Sequence, residues 1–584
     1  MSLTFLASTY QKHSIQFPDT LGTRALRRQG LEEDFITYTT NVFNGCTTKI
    51  SVGSVRIPGI SLTRGVKQGD CLSPLLFNLM LDELLDELPD HIGVEIGGCK
   101  INALGFADDI ILLASSKAGM RFLIQKTEEF FGLRSMKINA KKCFSLRLVQ
   151  AVGTKSITND TKTTFSIAGG KVTPCSVGKA FKYLGIQFDP TGKLSLAKSD
   201  LDEMLKKLSL APLKPQQKLV LLKSYVIPRY LHKLVLGRIT KGLLTSLDMC
   251  VKAKVKEWLR LPADVADGFL YASQKNGGLG IPKLSLQIPI LILKRLRKLA
   301  KSEDPVLAEL CNSDQIAKLL SKCNEMIPFN GLQQEVNFAA ELQKDTNAKW
   351  FGTTDGRPLK QIVNNTRGQE WVSGHMACIT GSQFINLCKL RSGRLPTKEV
   401  SNRGRPGDKS CRYCKNRTET LNHVVQGCAI SHYPRIRRHN WIVDKLKELA
   451  LKAGITTFHE QWLHPEDGPR ARPDLLFVKN DICYVVDVQV TSDSDESLTS
   501  AHNEKIKTYT RCDAAIKNLT AANTIEHWPF ILTNRGLYHE HNDRVLRLLK
   551  AKSSRSIIVL ESMLKSIMIH TQFMRQTSTA DIAI

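Results

Sequence analysis

The sequence holds no apolar run near the roughly 18 residues that a bilayer crossing needs, so no membrane span is expected. Cysteine is sparse, 15 in 584 residues, odd in number and mostly isolated. That argues against a disulfide framework and for a reducing compartment. The first residues, Met1 to Ala7, lack a basic start and a long apolar core, so no secretory signal is expected. No heptad, collagen or solenoid period is present. Acidic residues are short relative to basic ones: 55 Asp+Glu against 82 Lys+Arg, a formal net charge of +27. Such an excess is unusual for an enzyme of small metabolites and suits a polyanionic partner, whose counterions are released on binding. The 42% hydrophobic content is ample for packed cores. At roughly 150 residues per domain, the length fits about four domains.

The positive charge is not evenly spread. Residues 391–440 hold 12 Lys/Arg and 3 Asp/Glu, and the densest Cys/His cluster falls in the same window. Residues 65–70 form a loop with two glycines, followed by a helical pattern over 73–88. Ser73 is the expected N-cap of that helix and Pro74 its first residue. Residues 100–114 read as strand, turn, strand, 120–131 as helix, and Phe181–Phe188 as a strand-like run. Residues 196–300 are basic and mainly helical, and 300–390 largely helical and polar. Residues 441–455 and 499–511 are helical, with a hairpin pattern at 472–490 between them.

Three constellations carry chemistry. The first is Phe106-Ala-Asp108-Asp109, two adjacent carboxylates at a turn between apolar strands. Their repulsion is tolerable where a divalent cation sits between them and substrate phosphates. Taken alone, such a pair is usually a solvated turn. The second is Cys411-x2-Cys414-x8-His423-x4-Cys428, a spacing that can close a tetrahedral Zn2+ site. His432 and His439 are alternates, ranked as surface or phosphate-contacting residues, and Arg412, Lys415 and Arg417 around the cluster suit binding of RNA or single-stranded DNA. The third is Asp474 and Asp487, equidistant from the turn-like Asn480-Asp481. A hairpin closing there sets the two acids opposite one another on one sheet face, where both can share one cation. Lys505 and Tyr509 lie one helical turn apart downstream, and a lysine near the metal can orient or polarise an attacking water.

The company of Asp108 and Asp109 resembles the palm of a reverse transcriptase. Gly65-Val-Lys-Gln-Gly-Asp-Cys-Leu-Ser-Pro-Leu-Leu-Phe-Asn78 is similar to the family's loop and helix that position template and nucleotide. Gly132-Leu133 with Asn139 and Lys141-Lys-Cys143 resembles the next motif, and Phe181-Lys-Tyr-Leu-Gly185 the primer-grip strand. The resemblance implies Mg2+ on Asp108 and Asp109, and substrate contacts from Gln68, Gly69, Lys141 and Lys182. One family aspartate is missing. It belongs to a strand before the Gly65 loop, where Phe17 and Asp19 are the expected remnant and His13 stands at the acid's place.

The third constellation resembles a restriction-like nuclease with a displaced lysine, since Gln489 stands where many such enzymes carry it. That likeness implies Mg2+ on Asp474 and Asp487, hydrolytic assistance from Lys505 with Lys507 as fallback, and a role for Tyr509. Together, the order of motifs resembles the non-LTR (type-1) retrotransposons of the restriction-like-endonuclease group that insert in ribosomal RNA genes. The implied fold is multidomain α+β. Its parts are a partial palm (1–195), a helical thumb (196–300), a helical linker (301–404), a CCHC zinc knuckle with a basic segment (405–440) and an α/β restriction-like nuclease (441–584). The implied activity is target-primed reverse transcription by an RNA-directed DNA polymerase with an endonuclease. Its partners would be element RNA, target DNA and deoxynucleoside triphosphates, without a membrane, in the nucleus after cytoplasmic synthesis. With the palm aspartate missing, the polymerase is expected to be crippled. A nuclease-only protein or a non-catalytic nucleic-acid-binding remnant is the alternative, and a group II intron protein is a weaker relative.

Overall fold

The computed structural model describes residues 3–9, 20–43, 47–61, 70–96, 98–134, 136, 138–150, 153, 156–176, 180–189, 198–237, 239–333, 336–363, 367–373, 376, 378–465, 468–494 and 496–578. Gln68, Gly69, His13, Phe17 and Asp19 lie outside them. The chain is multidomain α+β and divides into two compact units. The first gathers Met1–Leu196, Lys233–Arg238 and Ile292–Cys323; the second gathers Ala197–His232, Ile239–Leu291 and Asn324–Ile584.

The first unit is built on strands β1 (Leu3–Thr9), β2 (Thr47–Val52), β3 (Val55–Ser61), β4 (Val94–Ile96), β5 (Cys99–Ile101), β6 (Ala103–Phe106), β7 (Asp109–Ala114), β8 (Phe144–Gln150), β9 (Ile157–Asn159), β10 (Phe165–Ile167), β11 (Gly170–Pro174), β12 (Phe181–Tyr183) and β13 (Ile186–Phe188). The main sheet has the order β10-β11-β8-β1-β7-β6, with β9 beside β8. β1 thus enters between β7 and β8, antiparallel to both. The helices Ser73–Glu87 and Lys117–Leu133 supply Met80, Leu84, Leu123, Ile124, Phe130 and Phe131 to a core closed by Ile110 and Leu112 of β7. Ser116 caps the second helix by accepting from Gly119 N–H at 3.0 Å. The expected cap at Ser73 is not formed. Ser73 is already helical, Leu72 holds the cap position, and the Asp70 carboxylate accepts the Leu72 N–H at 2.8 Å instead. The run 181–188 is also not one strand. Leu184 and Gly185 have φ of 46° and 80°, and fold it into the β12–β13 hairpin.

In the second unit β14 (Thr456–His459), β15 (Leu475–Lys479), β16 (Ile482–Val486) and β18 (Thr524–His527) form one sheet. β17 (Val488–Thr491) and β19 (Phe530–Thr533) continue β16 and β18 past Asp487 as a parallel pair. Strands β15 and β16 are near-continuous apolar runs because helices cover both faces. A basic helix, His432–Lys452, packs on β14, β15 and β17. A second helix, Ser497–Thr510, here the lysine helix, packs on β17, β18 and β19. The C-terminal helix, Arg555–Ser578, packs on the basic helix and on Gly381–Arg391.

That last helix bears on the expectation of no membrane span. Lys552–Ser578 reaches a mean hydropathy of 1.2 over its best window, and is long and apolar enough to cross a membrane by length and composition only. Its apolar residues are interleaved with Ser, Thr and His, so no unbroken run is visible, and 56% of that window is buried inside the fold.

The two strand ends beyond Asp487 are tied by Arg535, whose Nε lies 2.6 Å from the fully buried carboxylate of Asp493. Removing one partner of such a pair strands a buried charge. Arg535→Ala is therefore expected to cost about 3–5 kcal/mol in chemical denaturation, while the exposed pair Lys207–Glu203 is expected to be worth less than about 1 kcal/mol.

Candidate active sites and zinc centre

In the first unit β6 and β7 pair with Phe106 opposite Asp109, so Ala107 and Asp108 make a two-residue turn. Ala107 takes φ 50°, a left-handed conformation that costs a non-glycine residue about 1 kcal/mol or more. The turn lifts Asp108 into solvent and leaves Asp109 half-buried. Burial, and then the charge of Asp108, pushes the Asp109 carboxyl above the usual range, against the pull of Lys142. Lys142 and Lys141 stand on a short 3-10 turn, Ala140–Lys142, with Asn139 Oδ1 accepting from Lys141 N at 3.1 Å. Tyr183 on β12 also senses Asp109: burial first, and then that charge, raise its phenol. Lys182 is exposed on the same strand. Asp108, Asp109, Lys141, Lys142 and Tyr183 therefore belong to one end of one unit. The register also shows what the neighbouring strand offers. Thr9, the last residue of β1, is paired with Asp109, and the sequence of β1, Leu-Thr-Phe-Leu-Ala-Ser-Thr, contains no acid.

In the second unit the hairpin closes at Asn480-Asp481, both at positive φ, with Lys479 paired to Ile482 and Leu475 to Val486. Extending that register by one step sets Asp474 against Asp487. There the ladder gives way to side chains. Val488 N–H donates to Asp474 Oδ2 at 2.7 Å, and Asp474 N–H to Asp487 Oδ1 at 3.3 Å. Tyr509 Oη donates to Asp487 Oδ1 at 2.7 Å, and Lys505 Nζ lies 2.6 Å from Asp487 Oδ2. The lysine helix thus delivers Lys505 and Tyr509 to one carboxylate. Asp487 is nearly buried, and burial followed by the charge of Asp474 pushes its carboxyl up, opposed by Lys505 and Tyr509. Burial, then Asp487, raises the Tyr509 phenol as well, so it stays a donor.

His439, ranked on sequence as a surface or phosphate-contacting residue, belongs to this cluster. Its Nε2 lies 3.1 Å from Asp474 Oδ2 and 3.0 Å from the Val488 carbonyl. Burial works to lower its pKa, but the hydrogen bond and charge of Asp474 prevail and hold it at about 9. A signal was present in the sequence. His439 precedes the buried Ile442, Val443 and Leu446 by three, four and seven residues, the spacing of one helical face. His432 is exposed at the start of the same helix.

The four knuckle residues also converge. Cys411 N–H donates to Arg417 O at 2.7 Å, and Lys415 turns the chain at φ 58°. Cys428 N–H donates to His423 O at 2.7 Å. The Sγ atoms of Cys411 and Cys428 are 3.9 Å apart, and Cys414 Sγ is 3.3 Å from His423 Nε2. Ligands at ~2.3 Å (S) and ~2.0 Å (N) on a tetrahedron stand about 3.5–3.8 Å from one another, so the donor set and its size fit Zn2+. Arg412 is turned inward to the buried Glu419, 3.1 Å away.

Residues 28–188 match the family model for reverse transcriptase (RNA-dependent DNA polymerase). Across 562 residues the chain is 30% identical to a Pol polyprotein of the type-1 retrotransposable element R2 from Popillia japonica, covering 94% of this chain and 90% of that relative. The chain belongs to the R2 retrotransposon Pol polyproteins. It is also 32% identical over 559 residues to the Pol polyprotein of element R2DM from Drosophila melanogaster, and 31% over 491 residues to an R2 relative from Nasonia vitripennis. The chain spans 52% and 46% of those two relatives, about half their length. As a member of the R2 family it carries a reverse transcriptase domain. The matched segment holds Asp108, Asp109, Lys141 and Lys182, whereas β1 lies before it.

Proposed function

We propose that this R2 polyprotein nicks DNA through Asp474, Asp487, Lys505 and Tyr509, and offers a 3′ hydroxyl to a palm built around Asp108 and Asp109. The observation that carries the nuclease is the convergence of Lys505 Nζ and Tyr509 Oη on Asp487, 13 residues beyond Asp474. A buried carboxylate whose ionisation a second acid opposes suits a hard cation with oxygen ligands. Bound Mg2+ supplies Lewis-acid polarisation of the scissile phosphate. Tyr509 and the Val488 N–H fix the carboxylates in direction, and His439 meets the same Asp474 Oδ2 that Val488 N–H reaches. Lys505 orients the attacking water. In the hydrolysis the water oxygen joins phosphorus and the P–O3′ bond breaks, leaving the 3′ hydroxyl that a target-primed polymerase extends.

On this reading residues 1–195 are the partial reverse transcriptase with fingers remnant and palm, 196–300 the thumb, 301–404 the linker and 405–440 a Zn2+ knuckle. Gln68, Gly69, Lys141 and Lys182 contact template, primer or nucleotide. The partners are element RNA and target DNA, and the site of action is the nucleus. Among the described residues this end of the palm holds Asp108 and Asp109, and β1 sets Thr9 opposite Asp109 where two-metal transfer calls for a further acid. A nuclease whose polymerase is weak is therefore the favoured form of the reading.

Two measurements test the binding parts. Cys411→Ser is expected to release one zinc per chain and to loosen residues 405–440 to proteolysis; unchanged zinc content refutes the ligand set. RNA affinity is expected to fall linearly and steeply in log–log form with salt, and a flat response refutes the polyanion role of the +27 charge.

A further inference from the structure

A second cluster of metal-binding side chains lies apart from the knuckle and the carboxylates. His502 stands on the lysine helix one turn before Lys505, and His539 and His541 follow β19. One nitrogen from each lies within 4.8 Å of the others. His502 Nε2 and His541 Nδ1 are 3.3 Å apart. Two nitrogens ~2.0–2.1 Å from a tetrahedral zinc stand about 3.3 Å from each other. The rings of His502 and His539 stack at 4.3 Å with 15° between planes, while His541 meets both edge-on at 4.9 and 5.1 Å.

The surroundings of His502 and His539 favour neutral imidazoles with lone pairs to give. His502 and His539 are buried and His541 half-buried. Burial, and then the neighbouring rings and Arg544, lower His539 to about 4; burial also lowers His502. His502 turns Nδ1 toward Asn503 Oδ1 at 3.5 Å, leaving Nε2 as its lone-pair nitrogen. The contact from His541 N–H to His539 Nδ1 is long, 3.3 Å, so that lone pair is weakly engaged. The segment is held rigidly, because Asn542 exchanges hydrogen bonds with Ile531 of β19 at 2.9 and 2.8 Å. The Glu540 carboxylate lies 3.9 Å from His541 Nε2, on the far side of the ring from the Nδ1 that meets His502, and imidazole donors select zinc-like ions over Mg2+.

We propose that His502, His539 and His541 form a second Zn2+ site, with a fourth position open at the half-exposed His541, that fastens the lysine helix to the segment after β19. Its consequence is positional: the clamp lies one helical turn from Lys505. It does not depend on the nuclease reading, since it concerns metal content alone.

The test is zinc stoichiometry of the full chain after dialysis against zinc-free buffer, by inductively coupled plasma mass spectrometry. Two equivalents are expected. His502→Gln and Cys411→Ser should each leave one, and the double variant none. One equivalent in the unsubstituted chain, or two retained in His502→Gln, overturns the proposal. Should His502→Gln not fold, His541→Asn at the more exposed position gives the same reading. Cobalt titration of the Cys411→Ser chain supplies a second one. A d–d spectrum without thiolate charge transfer supports the histidine site, and no cobalt uptake overturns it.

Discussion

Asp487→Asn is expected to lower Mg2+-dependent nicking of duplex DNA by roughly 10³-fold or more, with the fold intact. Asparagine keeps the shape of the side chain and can still accept from Tyr509. It removes the charge that Lys505 neutralises at 2.6 Å and that a cation needs. Because Asp487 is buried beside Asp474, its charge is a cost to the folded state, and the melting temperature of the variant is expected to hold or rise. Asp474→Ala should be equally inactive. Tyr509→Phe keeps both acids and loses the hydroxyl's contacts with Asp487 at 2.7 Å and with the Arg472 carbonyl at 3.2 Å, so a loss nearer 10-fold is expected. Nicking by Asp487→Asn within a few fold of the unsubstituted chain would remove the nuclease assignment, and a variant that melts earlier would show the carboxylate to be structural.

The second large effect concerns the polymerase. Primer extension on an RNA template by this chain is expected to be at least about 10²-fold slower than by a version with a third acid beside Asp109. The register names the place to try, since Thr9 pairs with Asp109 across the β1–β7 ladder. Thr9→Asp is expected to raise extension, and Asp109→Ala on that background to abolish it. Equal extension by the chain with and without the added acid would show that two acids suffice.

How much of this was legible in the sequence differs between the sites. The hairpin of Asp474 and Asp487 was legible because a strand pair has period two and one turn, and the turn falls midway. Lys505 and Tyr509 were legible as neighbours on one helical face, four residues apart. The Cys/His cluster was legible from spacing, since Cys411, Cys414, His423 and Cys428 lie within 18 consecutive residues. His439 was not, because its partner Asp474 is 35 residues away and only the packing of the basic helix on the sheet brings them together. The histidine triad was hidden for the same reason, its members 37 and 39 residues apart until the lysine helix docks on β19. The place of β1 was hidden too, since sheet order is set by long-range pairing. The remnant acid expected at Phe17 and Asp19 lies outside the described residues, and the strand beside Asp109 ends at Thr9.

The central claim is that paired carboxylates hold divalent metal beside a nucleic-acid strand, and metal binding itself tests it most directly. Mn2+ titration followed by electron paramagnetic resonance, on the full chain with zinc sites filled, counts those ions without relying on turnover. The account predicts that Asp474→Ala/Asp487→Asn removes the Mn2+ bound in the second unit, and that Asp108→Ala/Asp109→Ala removes only what remains. An unchanged Mn2+ count in both double variants would contradict it.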